Sequence, residues 1–227
     1  TRRRIKYIKQ ISPDIIHLRN LHANYLNLPE LFRFLKYADI PVILNLHDCW
    51  AYTGKCPHYT DIQCYKWKEQ CFDCPVIHNY PQSLFFDITK KLFTDKKRWF
   101  KSLNDLTVVG VSKWTADQAK MSFLSDRRIF TIYNWINRNV FYPHKDNILS
   151  KYGIDSTKFT ILGVSSSWTL GSPRYEDFIK ISTLIQEDMQ IVLIGQSKIT
   201  EWPQNIKHIR FISDTNEVIF IFIKTAV

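Results

Sequence analysis

No run of roughly 18 or more consecutive apolar residues occurs in this 227-residue sequence, so it offers no membrane-spanning helix. It has no initiator methionine, and residues 1–10 are basic and polar with no apolar segment behind them, so no secretory signal is expected. It opens inside a helical pattern, which predicts a piece of a longer polypeptide. A glycine-rich dinucleotide fingerprint, a P-loop and a G-x-S-x-G elbow are all missing, which removes support from NAD-type, P-loop and elbow-nucleophile chemistry. Internal repeats and low-complexity tracts are absent too.

What is present is a globular composition. Apolar residues make up 45%, aromatic residues 15% and charged residues 23%, which excludes a disordered chain, a collagen and a small disulfide-held scaffold. The length corresponds to about one and a half domains of roughly 150 residues. Lys and Arg number 31 against 21 Asp and Glu, a net charge of +10 that attracts phosphates, anionic lipid headgroups or nucleic acid. The basic residues are scattered apart from Arg2-Arg3-Arg4 and Lys96-Lys97-Arg98, so no nucleic-acid partner is expected; that binding needs a denser stripe.

Apolar runs and helical patterns alternate along the chain. Strands are predicted at 14–18, 41–46, 107–111 and 129–133, then at 160–164, 190–194 and 208–212. Asn27 followed by Pro29 and Glu30 predicts a capped helix whose buried stripe is Leu28, Leu31, Phe32 and Leu35. Further helices are expected over 83–102, over 113–124 with Ser112 as cap, and along Tyr175, Phe178, Ile179, Ser182 and Ile185. The fold class is therefore α/β with parallel sheets: one block over 1–140 carrying a Cys-rich insertion at 49–80, and a second over 146–227, joined by a connector at 134–147.

Ligands of such sheets bind beyond the carboxyl ends of the strands, so the residues there are the functional candidates. His47-Asp48 ends a strongly apolar strand, where a His can meet a substrate hydroxyl or take a proton near neutral pH. His17, inside a strand, is expected to be a core histidine, and His22 could line the same cleft. In the second block, Gly163 to Trp168 reads as a small-residue loop after a strand and Gly171 to Arg174 as the approach to a helix. Such a loop could cradle phosphate on backbone N–H groups, with Arg174 as charged partner. All five cysteines fall between 49 and 74. Cys56, Cys64, Cys71 and Cys74 form C-x7-C-x6-C-x2-C near His58, a pattern open to structural zinc, to disulfides or to free buried thiols.

Several motifs resemble the GT4-type glycosyltransferases. These are Pro13 to His17; Ile40 through His47-Asp48-Cys49-Trp50 to Gly54; the Cys64–Pro75 cysteine run; Val111 to Trp114; Ile132 to Asn137; and Phe141-Tyr142-Pro143. More narrowly they are similar to the bacterial branch that builds capsule, O-antigen or colanic-acid-like exopolysaccharide, over about residues 5–212. The resemblance implies a GT-B architecture of two Rossmann-like domains, acceptor-side first and nucleotide-sugar-binding second, both incomplete here. It implies retaining transfer from a nucleotide sugar to a saccharide or polyprenyl-linked acceptor, without a catalytic metal, in the cytoplasm and peripheral to the inner membrane. It places His47 at the reacting sugar and Arg174 at the donor diphosphate; the strand-end rule adds Asp48 beside His47, Ser166 and Gly195-Gln196 on the donor side, and His22 and Ser112 on the acceptor side.

Two family features are missing: a glycine-rich acceptor loop before Thr1 and a late pair of Glu eight positions apart, and the sequence departs from the family after about Asn216. The resulting expectation is a glycosyltransferase fragment with reduced or no activity. Its competitors are a non-catalytic fragment or zinc-stabilised interaction module, and a basic surface binder.

Overall fold

The computed structural model describes residues 1–22, 24–83, 85–139 and 149–212. The chain divides into two units, Thr1–Asn134 and Trp135–Val227. In the first, helix α1 (Arg2–Ile11) precedes strand β1 (Ile16–Arg19). Helix α2 (Leu28–Ala38) follows, capped by Asn27, whose side-chain oxygen accepts the Glu30 N–H at 3.0 Å. Strand β2 (Val42–Leu46), helix α3 (Thr89–Lys101) and strand β3 (Leu106–Gly110) come next. Helix α4 (Lys113–Lys120), capped by Ser112, and strand β4 (Arg128–Thr131) complete the unit.

The four strands are parallel and lie in chain order. Right-handed crossovers in such an order stack the connecting helices on one face. The core reflects this: Ile16, Leu18, Val42, Leu44, Leu106 and Val108 share one cluster with Phe32 of α2, Phe100 of α3 and Ala119 of α4. Each fully buried side chain of this size contributes about 1.5–3 kcal/mol. One-sided cover explains the alternating burial of β1, and it corrects the reading of His17: that residue is on the exposed face of an edge strand, not in the core. Gly110 is required where α4 meets β3, because a Cβ there would come within 2.5 Å of the Ala116 backbone nitrogen.

The second unit holds strand β5 (Phe159–Trp168), helix α5 (Pro173–Ser182), strand β6 (Met189–Ser197) and strand β7 (Ile206–Ile209), again parallel and in chain order. Strand β6 is covered on both sides: Val192 and Ile194 join Leu149 and Ile154, while Ile191 and Leu193 join Trp168 with Phe178 of α5 against them.

Several element boundaries differ from expectation: β1 starts and ends later than 14–18, β6 runs on to Ser197, and β7 is Ile206–Ile209 rather than 208–212. Strand β5 runs on through Ser165–Ser167, so the small-residue segment is strand with a bulge between Val164 and Ser167, not a loop. Trp168 pins that extension, buried and donating its ring N–H to Ile194 O at 3.0 Å. Gly195 faces the bulge with φ +141, and a Cβ on it would lie 2.0 Å from Ser165 O. Helix α3 begins at Thr89 rather than 83, because Asp87 accepts the Thr89 N–H at 2.8 Å and starts the helix there. Helix α4 ends at Lys120 and gives way to turns before 124. Phe141-Tyr142-Pro143, the boundary at 146 and everything after Ile212 lie outside the described residues.

Candidate functional site

The carboxyl ends of β1 and β2 carry a polar cluster. His22, Asn45, His47, Asp48 and Trp50 line one narrow cavity there. Asp48 is held from two sides: His22 Nε2 lies 2.9 Å from its Oδ2, and Trp50 N–H donates to its Oδ1 at 2.8 Å. The second ring nitrogen of His22, Nδ1, is 3.0 Å from the Tyr80 hydroxyl. His47 Nε2 and Asn45 Oδ1 are buried without a hydrogen-bond partner among the described residues. Burial lowers the His47 pKa below the ordinary imidazole value, and the Arg19 charge adds to this, while Asp48 pulls the other way. A neutral imidazole with an open nitrogen can accept a proton or hydrogen-bond a hydroxyl.

The sequence reading of His47, Asp48 and His22 at the strand ends thus has a geometric counterpart: all three line the same cavity. Ser112 stands apart from it, its hydroxyl engaged with the Thr115 N–H at 3.1 Å as the cap of α4. Tyr80 and Asn45 were not anticipated. Tyr80 is 58 residues from His22 and carries no sequence signal of the contact.

The Cys-rich insertion, residues 49–80, sits between β2 and α3. Trp67 anchors it, buried and packed against Tyr52 and Tyr59 with ring centroids 5.0 and 4.9 Å away. Cys56, Cys64, Cys71 and Cys74 line a single small cavity, and His58 does not. All five cysteines are free thiols. Burial raises the Cys56 thiol and pushes Cys71 up to about 12 and Cys49 up to about 11. Among the described residues no three His, Cys, Asp or Glu side chains already converge in metal-ligating geometry.

Lys96 reaches up from α3 beneath this region. It is buried, donates to Trp50 O at 2.5 Å and lies 3.9 Å from the centre of the Trp50 ring. Burial draws its pKa down to about 7 against the opposing pull of Cys71, Cys56 and Asp48.

In the second unit, a cavity of about 840 Å³ opens beyond the carboxyl ends of β5 and β6. Trp168, Tyr175, Gln196, Lys198, Glu201 and Arg210 are among its lining residues, with Arg210 Nε donating to Gln196 Oε1 at 3.2 Å. The expected donor-side residues are not among that lining. Arg174 is in the first turn of α5 and donates to Ser165 Oγ at 2.8 Å; Ser166 is exposed at the bulge; Gly195 is buried where β5 and β6 approach. Lys198 and Arg210 directly follow the ends of β6 and β7; the sequence reading ends those strands at 194 and 212, so the strand-end rule passes over both.

Two Rossmann-like units of parallel strands, each with a cavity at its strand ends, make a GT-B-like α/β fold. Solved structures share it. Sucrose-phosphate synthase from Thermosynechococcus elongatus aligns with 97% of this chain and 50% of its own, at 12% identity and a TM-score of 0.58. HepE of Anabaena in complex with UDP aligns with 96% of this chain and 53% of its own, at 14% identity and a TM-score of 0.57. By sequence, the chain is 33% identical over 96 residues to a provisionally named colanic acid biosynthesis glycosyl transferase of Escherichia coli K12, WcaC. That match spans 40% of this chain and 23% of the relative. No family model matches. The chain thus resembles glycosyltransferases in sequence and has their GT-B-like fold, while spanning about half the length of the solved structures it aligns with.

Proposed function

We infer that this chain serves a glycosyltransferase that moves a sugar from a nucleotide-sugar donor to a saccharide or polyprenyl-linked acceptor during cell-surface polysaccharide synthesis. The observation that carries the reading is the 840 Å³ cavity at the strand ends of the second unit, where Lys198 and Arg210 supply positive charge beside the aromatic Tyr175. A nucleoside diphosphate needs that combination: cations for the diphosphate and an apolar wall for the base. HepE, which shares the fold, was solved with UDP and with UDP-glucose, and this favours a uridine donor.

In the proposed reaction the acceptor oxygen bonds to the anomeric carbon as the bond from that carbon to the diphosphate breaks. The acceptor proton passes to the departing diphosphate, and configuration is retained. Lys198 and Arg210 stabilise the leaving charge without a catalytic metal. In the first unit, His47, neutral and with an open ring nitrogen, is available to a sugar hydroxyl, and His22, held by Asp48, is the acceptor-side group. The net charge of +10 supports work in the cytoplasm at an anionic membrane face, and no helix among the described residues is long and apolar enough to cross a membrane.

Calorimetric titration of UDP, UDP-glucose and a GDP-sugar into the whole chain tests the donor site. The reading expects saturable binding, weakened at least about tenfold by Arg210→Ala, in line with the loss of one charge-assisted contact. A folded chain that binds none of these compounds overturns it and leaves a non-catalytic interaction module. Sedimentation with anionic vesicles at low salt tests the membrane face, which fails if the protein stays in the supernatant.

A further inference from the structure

Lys55 and Lys96 are both buried, and among the described residues neither has a carboxylate within salt-bridge distance. Lys55 Nζ donates to the backbone oxygens of Val76, Ile77 and Asn79 at 3.0, 2.6 and 2.8 Å, and Lys96 Nζ donates to Trp50 O. Asp87 and Asp48 act on them only from longer range. Buried ammonium groups are costly unless an anion balances them. Lys55 instead lines the same cavity as four thiols, those of Cys56, Cys64, Cys71 and Cys74, and Lys96 lies in electrostatic reach of two of them, Cys71 and Cys56.

Those thiols border one small cavity. Cys56, Cys64, Cys71 and Cys74 line a space of about 20 Å³. A space of roughly 10–15 Å³ on this measure holds a single water, so this one holds about one atom. Gly54 N–H donates to Cys71 Sγ at 3.1 Å. A Cβ at Gly54 would lie 2.8 Å from Cys71 Cβ, so the chain approaches that sulfur as closely as it can.

We propose that Cys56, Cys64, Cys71 and Cys74 bind one zinc ion as a closed structural site, with Lys55 and Lys96 as its buried counter-charges. As Zn²⁺ binds, the four thiols lose four protons to solvent, leaving a centre of net charge −2 that the two ammonium groups balance. The four cysteines line the cavity without already converging in ligating geometry, so binding draws their sulfurs together to Zn–S distances of about 2.3 Å. Four protein ligands leave no open coordination position, so the ion holds the insertion together and takes no part in sugar transfer. The proposal is independent of the donor-site reading.

The test is metal content and cobalt spectroscopy on the whole chain, purified under reducing conditions. The expected results are one zinc per chain, a fall in thermal midpoint on chelation, and stoichiometric uptake of Co²⁺ with the intense visible bands of a tetrahedral thiolate site. Cys49→Ser, which alters the one cysteine outside the cavity, keeps the full stoichiometry. Lys96→Met lowers zinc affinity by about 10–100-fold, the usual effect of removing an outer-shell partner. A folded, metal-free chain that takes up no Co²⁺ overturns the proposal, whether its thiols react freely with a thiol reagent or intact mass reveals disulfides. The wild-type cobalt spectrum decides the matter even if cysteine variants fail to fold.

Discussion

His22 and Asp48, 26 residues apart in sequence, meet at 2.9 Å across the carboxyl ends of two neighbouring parallel strands. The register brings Arg19 beside Asn45, so the segments leaving β1 and β2 start level and their polar side chains can converge. The Trp50 N–H on the other Asp48 oxygen stops the carboxylate from turning away.

Asp48→Ala removes an acceptor from both donors. Hydrogen bonds to a charged group contribute about 1.5–3 kcal/mol each, so a stability loss of about 2 kcal/mol or more is expected in urea denaturation. Asp48→Asn, which keeps an acceptor oxygen for Trp50, is expected to lose less stability. Any transfer activity of the chain should nonetheless fall in both, because His22 is no longer held by a carboxylate.

His47 gives a pH prediction. Its pKa in the folded chain lies below the unfolded value of about 6.5. As pH falls through 6.5 the unfolded chain takes up a proton that the folded chain refuses, so stability is lost toward acid and kept at higher pH. His47→Gln should therefore flatten the dependence of thermal midpoint on pH between about 5 and 7 relative to the parent. An unchanged slope would mean that the imidazole has no such penalty.

Gly110 and Gly171 make a contrasting pair. Gly110→Ala drives a methyl into the backbone of α4 and should cost about 1–3 kcal/mol, as overpacking does. Gly171 has nothing within 4 Å of an added Cβ but sits at φ +74, so Gly171→Ala should cost only the roughly 1–2 kcal/mol of a left-handed backbone. Chemical denaturation of the two variants separates steric from conformational cost.

Phe100 is fully buried and packs edge-on against Phe32 with centroids 4.9 Å apart. Phe100→Ala should lower stability by about 3–5 kcal/mol, measured by thermal or urea unfolding. The same truncation at exposed Phe86 should change it by less than about 0.5 kcal/mol.

Local chemistry made much of the fold readable. Asn27 and Ser112 announce their helices because a side-chain oxygen before a helical stripe has one evident use, and both make that bond. His47-Asp48 stood out because a polar pair ends an apolar run, and the pair does border a cavity. Strand β5 was read too short because Ser165-Ser166-Ser167 has neither alternation nor apolar bulk; its pairing is enforced by β6 and by the anchoring of Trp168, both distant in sequence. His17 was misplaced because a short apolar strand reads alike whether one face or two are covered. The contacts of His22 with Tyr80 and of Lys96 with Trp50 join residues 58 and 46 positions apart, and no local pattern encodes them.

Trp50 hands its amide to Asp48 and its carbonyl to Lys96. Any fluctuation that swings this residue outward breaks both bonds in one event. Amide exchange should then register the strand-end histidine cluster and the floor of the Cys-rich insertion as a single opening unit with a common protection factor. A perturbation felt by the cysteines, such as oxidation or loss of a ligand, would travel to His22 as a change in how often that unit opens rather than as a change in its resting geometry.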